Sequence, residues 1–298
     1  MAVPPWLWIV FTLMAATAQT FRNATQRSLT EKLGTVGATH IRFLFGLPFG
    51  LLALAIVLFV HGGGVMPNLE SFGWTVLGAV CQIAATALML GAMRERSFVV
   101  AIAYTKTEAV QVALFAVIFL GEHLSPMVTA AVVAATVGVL VLSWPRADVS
   151  EVFSWRPALL GVASGALFAM ATIGFRGGIL SLDAPNYVLA ATETLAVGLT
   201  VQSVLLSAWL AWRRPEVMRG VLAAWKESLP AGFLGAFASQ MWFLAFAIHA
   251  AAPVRTLGLV EILISGMVSR RMFAQAPSLR DIIGMGLIVI GIVALVNG

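Results

Sequence analysis

The sequence predicts an all-α integral membrane protein: ten transmembrane helices forming two inverted five-helix repeats around a central cavity. Three observations predict this. Of 298 residues, 60% are hydrophobic and 10% charged, against about half apolar and a quarter charged in soluble domains. Apolar runs close to the roughly 20 residues that a bilayer core of about 30 Å requires recur along the whole chain. Segments of the two halves also match at an offset of 153 residues.

In chain order the apolar runs cover approximately 5–21, 38–60, 72–92, 98–120, 126–144, 157–175, 185–212, 229–249, 252–271 and 279–297. Helix 1 is preceded by no Lys or Arg, whereas a signal peptide begins with a basic region, so it reads as an uncleaved span. Helix 2 contains Pro48, which removes an amide and frees a carbonyl one turn earlier, so a kink is expected there. Ser125-Pro126 opens helix 5, Asp183 with Pro185 opens helix 7, and Ser228 with Pro230 opens helix 8; each supplies a cap or a donor-free first residue. Gly46/Gly50, Gly161/Gly165 and Gly174/Gly178 are spaced four apart, which lets helix backbones approach closely. The loop RRPEVMRGVLAAWKES places Val217, Val221, Leu222 and Trp225 on one face of a short interfacial helix.

The repeat sets the domain organisation, 1–145 and 146–298. EAVQVALFAVIFLGEHLSP from Glu108 and EILISGMVSRRMFAQAPS from Glu261 share a mid-helix Glu, a break about thirteen residues later, and an apolar helix with a matched glycine (Gly138 and Gly291). TFRNATQRSL and GFRGGILSL match at nearly the same offset. Five is odd, so the second half enters the membrane from the opposite side. Such inverted repeats characterise secondary transporters, whose substrate site lies where the halves meet. Loop charges agree: the odd loops carry about fourteen Lys and Arg, and the even loops carry only Arg176 and Arg255. The positive-inside rule then puts the odd loops in the cytoplasm and both chain ends outside.

Cys81 is the only cysteine, which excludes disulfide frameworks and cysteine-rich metal sites within one chain. Gly62-Gly63-Gly64 lacks the strand and the Lys-Ser/Thr of a phosphate loop, and no nucleophile-base or metal-ligand pattern is present, so no cofactor, metal or enzyme chemistry is expected. The basic pI near 10.1 comes from charges confined to membrane-flanking loops. The lipid bilayer, not nucleic acid, is the partner they imply.

AYTKTEAVQVALFAVIFLGEHLSP resembles the fourth-to-fifth helix region of the drug/metabolite transporter superfamily, in its ten-helix EamA type, and HIRFLFGLP is similar to the start of that family's second helix. Family members often carry Pro directly after the positions of Glu108 and Glu261; here Ala109 and Ile262 follow, and Ala274-Gln275 replaces the Gly-Glu of the first half. The resemblance implies carrier-mediated movement of a small-molecule substrate such as an amino acid, amine or drug. Efflux across a bacterial inner (plasma) membrane by alternating access is its leading form, with proton coupling or exchange. A lipid or lipid-carrier flippase is the alternative.

The candidate site follows from the cost of charge in hydrocarbon, on the order of 3 kcal/mol per group at a helix centre. Lys106, Glu108, Glu193 and Glu261 must therefore face inward. Glu108 shares a helical face with Tyr104 and Gln111, while Lys106 lies about 200° away and needs a partner on another helix. Glu193 and Glu261 are the acids within reach of that reasoning. Glu261 is the repeat equivalent of Glu108. These two carboxylates are expected to border the cavity and to bind an amine-bearing substrate, a proton, or both in turn, with Trp242 and Gln240 as further contacts. A structural ion pair is the competing reading of each charge.

Overall fold

The computed structural model describes residues 3–95, 104–143, 155–263 and 279–297, and every regular element among them is helical. The helices are α1 Leu7–Leu44, α2 Leu47–His61, α3 Leu69–Glu95, α4 Glu108–Leu120, α5 Pro126–Ser143, α6 Trp155–Leu180, α7 Tyr187–Arg213, α8 Pro215–Ala223, α9 Trp225–Ile248, α10 Ala251–Leu257 and α11 Leu279–Asn297. The expected start of helix 4 (98–103), the end of helix 9 (264–271) and the loop residues Arg96, Arg146, Arg270, Arg271, Ala274 and Gln275 lie outside the described residues. By length and composition, five described stretches can cross a membrane: Ser28–His61, Leu69–Met93, Trp155–Leu180, Tyr187–Arg213 and Trp225–Ile248. Shorter apolar helices run over Glu108–Leu120, Pro126–Val141 and Ile282–Val296.

The first helix departs most from the sequence expectation. Helix 1 does not stop at 21: helical backbone continues to Gly34, whose φ of 68° and ψ of 174° turn the chain inside α1. That conformation is close to glycine-only. FRNATQRSLTEK is therefore helix, not loop. Gln19, Arg22, Asn23, Gln26 and Thr30 recur at helical spacing, and a helix of this length can bury such a polar stripe against its neighbours. Asn23 is buried.

The kink expected at Pro48 is present as the turn at Phe45-Gly46 between α1 and α2. Ser125 caps α5, its Oγ accepting from Val128 N at 3.1 Å. The seventh span begins slightly later than expected, at Tyr187, because Asn186 accepts from Leu189 N at 2.9 Å and supplies the cap. The short helix expected in this loop forms as α8, but it ends at Ala223, and Trp225 begins α9. In α8, Val221 is fully buried with Leu29 and Ile41 against the bend of α1, while Leu222 and Trp225 stay about half exposed.

Helix packing is most extensive for α1 with α9, α3 with α6, and α5 with α11. Small residues explain the closeness. A Cβ placed on Gly174 would lie 2.6 Å from Gly78 N, and one on Gly232 would lie 2.5 Å from the Phe45 backbone. At the α5–α11 seam, Gly138 abuts Gly284 and Ile288, and Gly291 abuts Ala131 and Ala135. Both central helices are also interrupted: turns occupy Lys106-Thr107 ahead of α4 and Gly258-Leu259 after α10. The local sequence offers no proline at either place, so tertiary packing supplies the break. The many large apolar side chains left exposed on the outer faces, such as Phe59, Leu114, Ile118 and Ile290, fit a lipid environment.

Candidate functional site

The interrupted helices deliver their charges to the same place. Glu108 is the first residue of α4 and Lys106 lies in the turn before it; Arg255 is in the last turn of α10 and Glu261 follows the Gly258-Leu259 turn. Lys106 Nζ stands 2.5 Å from Glu261 Oε2, and Arg255 Nε stands 3.1 Å from Glu108 Oε1. Each ion pair therefore joins a residue of the first half to one of the second. Glu261 is only 1% exposed and accepts two further bonds, from Gln19 Nε2 at 3.0 Å and Asn23 Nδ2 at 3.2 Å. Trp242 Nε1 completes the chain by donating to Gln19 Oε1 at 3.1 Å.

Arg255 is held on three sides. Its Nε and Nη2 both donate to Thr172 Oγ1, and its guanidinium carbon lies 4.4 Å from the Trp242 ring centre and 5.3 Å from that of Phe246. Cation–π contact of this kind is stronger when desolvated. A buried pair with such support resists breaking, because removing one partner leaves an uncompensated charge worth about 3–5 kcal/mol.

Lys106, Glu108, Arg255, Gln19, Asn23 and Trp242 border a cavity of about 30 Å³. A volume of that order holds a water molecule or two, whereas organic ligands occupy about 300–1,000 Å³. The arrangement is thus a closed one. Arg22 and Arg42 line the cavity with Gln82 and Ser239, beside Phe168, Phe175 and Phe243.

Of the residues expected from sequence, the structure brings together Glu108, Glu261, Lys106 and Trp242. It does not bring the others there. Tyr104 packs on Gly161. Gln111 reaches Thr107 Oγ1 at 3.5 Å, and Gln240 donates to Thr192 Oγ1 at 3.0 Å. Glu193 sits two turns into α7 and accepts from Val65 N at 2.7 Å, which ties the glycine-rich 62–64 connection to the bundle. It is a loop latch, and Lys106 takes Glu261 instead.

Sequence reasoning missed Arg255 and Arg22, both counted among loop charges. Both had a signal. Arg255 stands alone in the apolar stretch AAPVRTLGLV, and Arg22 belongs to the helical polar stripe from Gln19 to Thr30. Arg176 does clamp an end of the bundle: it pairs with Glu122 and donates to the carbonyls of Phe246 and His249, while Glu122 accepts from Ala251 N at 3.2 Å.

A helical membrane bundle that closes over paired charges supplied by distant parts of its chain defines a class: a multi-pass integral membrane protein built to hold polar chemistry inside apolar walls. Residues 6–144 match the EamA-like transporter family, which places that stretch in the drug/metabolite transporter superfamily. A crystal structure described only as "Crystal structure of protein" is similar in fold, with a TM-score of 0.65, 17% identity, and coverage of 96% of this chain and 98% of its own. Comparison with curated proteins gives no match.

Proposed function

We propose that the protein is a secondary transporter that moves a small organic metabolite by alternating access, with its two halves, 1–145 and 146–298, acting as inverted five-helix repeats. The reciprocal pairing of Glu108 with Arg255 and Glu261 with Lys106 carries this reading. Both pairs span the halves, so both must part when the halves rock against each other, and a substrate or proton that takes over one partner lowers the barrier to parting. Two packing relations support the repeat. Under the 153-residue offset, the α1–α9 and α3–α6 pairings exchange. The α5–α11 seam maps onto itself as well, since Gly138 meets residues 284 and 288 while Gly291 meets their equivalents 131 and 135.

Export, coupled to protons or to exchange, is the mode we propose, in an inner (plasma) membrane with both chain ends outside. Glu108, Glu261, Lys106 and Trp242 form the site we propose, and Tyr104, Gln111, Gln240 and Glu193 are left out of it. A thermal-shift screen of purified protein against amino acids, polyamines, nucleosides and sugar phosphates identifies the substrate, because a ligand of the folded state raises its apparent stability. Flux of the ligand found is then measured in proteoliposomes. Glu108→Gln abolishes flux or its pH dependence while expression is retained; unchanged transport would remove Glu108 from the mechanism. A cytoplasm-active reporter fused to the C-terminus stays silent, and strong activity would overturn the orientation.

A further inference from the structure

The cavity charges do not balance. Among the described residues, four cations, Arg22, Arg42, Lys106 and Arg255, line the cavity, against Glu108, which lines it, and Glu261, which reaches it through Lys106. Both carboxylates are already taken by Lys106 and Arg255. Arg22 and Arg42 are left with neutral partners: Arg22 Nη2 donates to Asn23 Oδ1 at 2.7 Å, and Arg42 Nη1 to Thr86 Oγ1 at 3.3 Å. Arg22 is 2% exposed, and its Nε and Nη1 have no hydrogen-bond partner among the described residues. The two side chains converge over Gly235, where a Cβ would lie 3.2 Å from Arg42 Cγ and 3.5 Å from Arg22 Cδ.

Guanidinium groups stay protonated, and burying such a charge without a counter-charge is strongly unfavourable. Adjacent unused donors on a planar fork match the geometry of a carboxylate or phosphate group. The absence of a side chain at Gly235 leaves the approach open. We infer that Arg22 and Arg42 form the docking site for an oxyanion, a carboxylate or phosphate group carried by the substrate. This deepens the transporter reading above and rests on it: the transported metabolite is an acid or a zwitterion whose negative end neutralises the arginine pair. Its amine, where it has one, competes with Lys106 or Arg255 for the carboxylates. A phosphate could belong to a water-soluble metabolite or to a lipid headgroup; the chemistry at the arginines is the same.

The test uses the full chain purified in detergent, at constant ionic strength with chloride as the reference anion. Inorganic phosphate and acetate are the soluble probes, and mixed micelles containing phosphatidic acid are the lipid probe, with phosphatidylcholine micelles as reference. At about ten times its dissociation constant, a bound oxyanion raises the melting temperature on the order of 3 °C. Arg22→Met loses that rise, and Arg22→Lys, which keeps the charge but not the fork, retains only part of it. Should Arg22→Met fail to fold, Arg42→Lys and Arg22→Lys carry the comparison. A response to the soluble anions or to phosphatidic acid that depends on Arg22 supports the inference and says which source fits. No response to any of them, or one of equal size in Arg22→Lys and Arg42→Lys, overturns it. Proteoliposome flux separates the two claims: flux of an uncharged or purely cationic compound without oxyanion binding leaves the transporter and sinks the arginine site, whereas oxyanion binding without flux does the reverse.

Discussion

The α5–α11 seam and the central cavity are both places where the two halves of the chain meet, and they are built on opposite plans. At the seam the halves are nearly interchangeable, each contributing one glycine that lies against two positions of the other helix. In the cavity they share only the carboxylates Glu108 and Glu261. Under the proposed repeat, Lys106 has Leu259 as its equivalent, and Arg255 has Ile102. The proposed symmetry is thus kept where van der Waals packing alone sets the fit, since small residues at matched positions satisfy both helices at once. It is abandoned where charge must be paired, because two identical sites across a twofold axis would set like charges near one another.

The largest expected effect tests the asymmetric region. Lys106→Met strands the Glu261 carboxylate in a buried site and destabilises the protein by about 3–5 kcal/mol. The double variant Lys106→Met/Glu261→Gln recovers a large share of that loss, measured as a double-mutant cycle from unfolding in detergent. A loss equal to the sum of the two single effects would mean the pair is not coupled.

Next come the symmetric glycines. Gly138→Ala and Gly291→Ala each place a Cβ within 2.8 Å of the facing backbone, and overpacking of this kind costs about 1–3 kcal/mol. The comparison predicts equal losses for the two; melting temperatures that differ markedly would break the proposed equivalence of the halves. Gly34→Ala follows. Nothing lies within 4 Å of a Cβ there, so its cost is conformational, about 1–3 kcal/mol for a non-glycine residue held in that region. Circular dichroism and thermal melting check it.

How much of this was legible in the sequence follows from which forces set each feature. The apolar runs and the match between Glu108 and Glu261 are one-dimensional patterns, and they pointed to the helical membrane class and to two of the charges that the structure pairs. The bend of α1 was not legible, because Gly34 sits in a polar stretch that hydropathy alone reads as a loop; the helical spacing of Gln19, Arg22, Asn23, Gln26 and Thr30 was the stronger cue. The breaks at Lys106-Thr107 and Gly258-Leu259 occur without proline, so tertiary packing, which no local pattern shows, accounts for them. Glu193 and Lys106 both looked like buried charges seeking partners. Choosing between Glu193 and Glu261 needed to know that α7 holds Glu193 beside Val65, which no spacing rule conveys.

The smallest effect belongs to the exposed pair of Lys32 and Glu227, 2.7 Å apart with both side chains more than half exposed. Lys32→Ala changes stability by less than about 1 kcal/mol, in contrast to Lys106→Met.

Accessibility of the cavity from the two membrane faces tests the central claim most directly. Ser239 lines the cavity and is 5% exposed, so Ser239→Cys in a Cys81→Ser background reports on it alone. With a membrane-impermeant thiol reagent, alternating access predicts modification in both right-side-out and inside-out vesicles. Modification from a single face, or from neither, would contradict it.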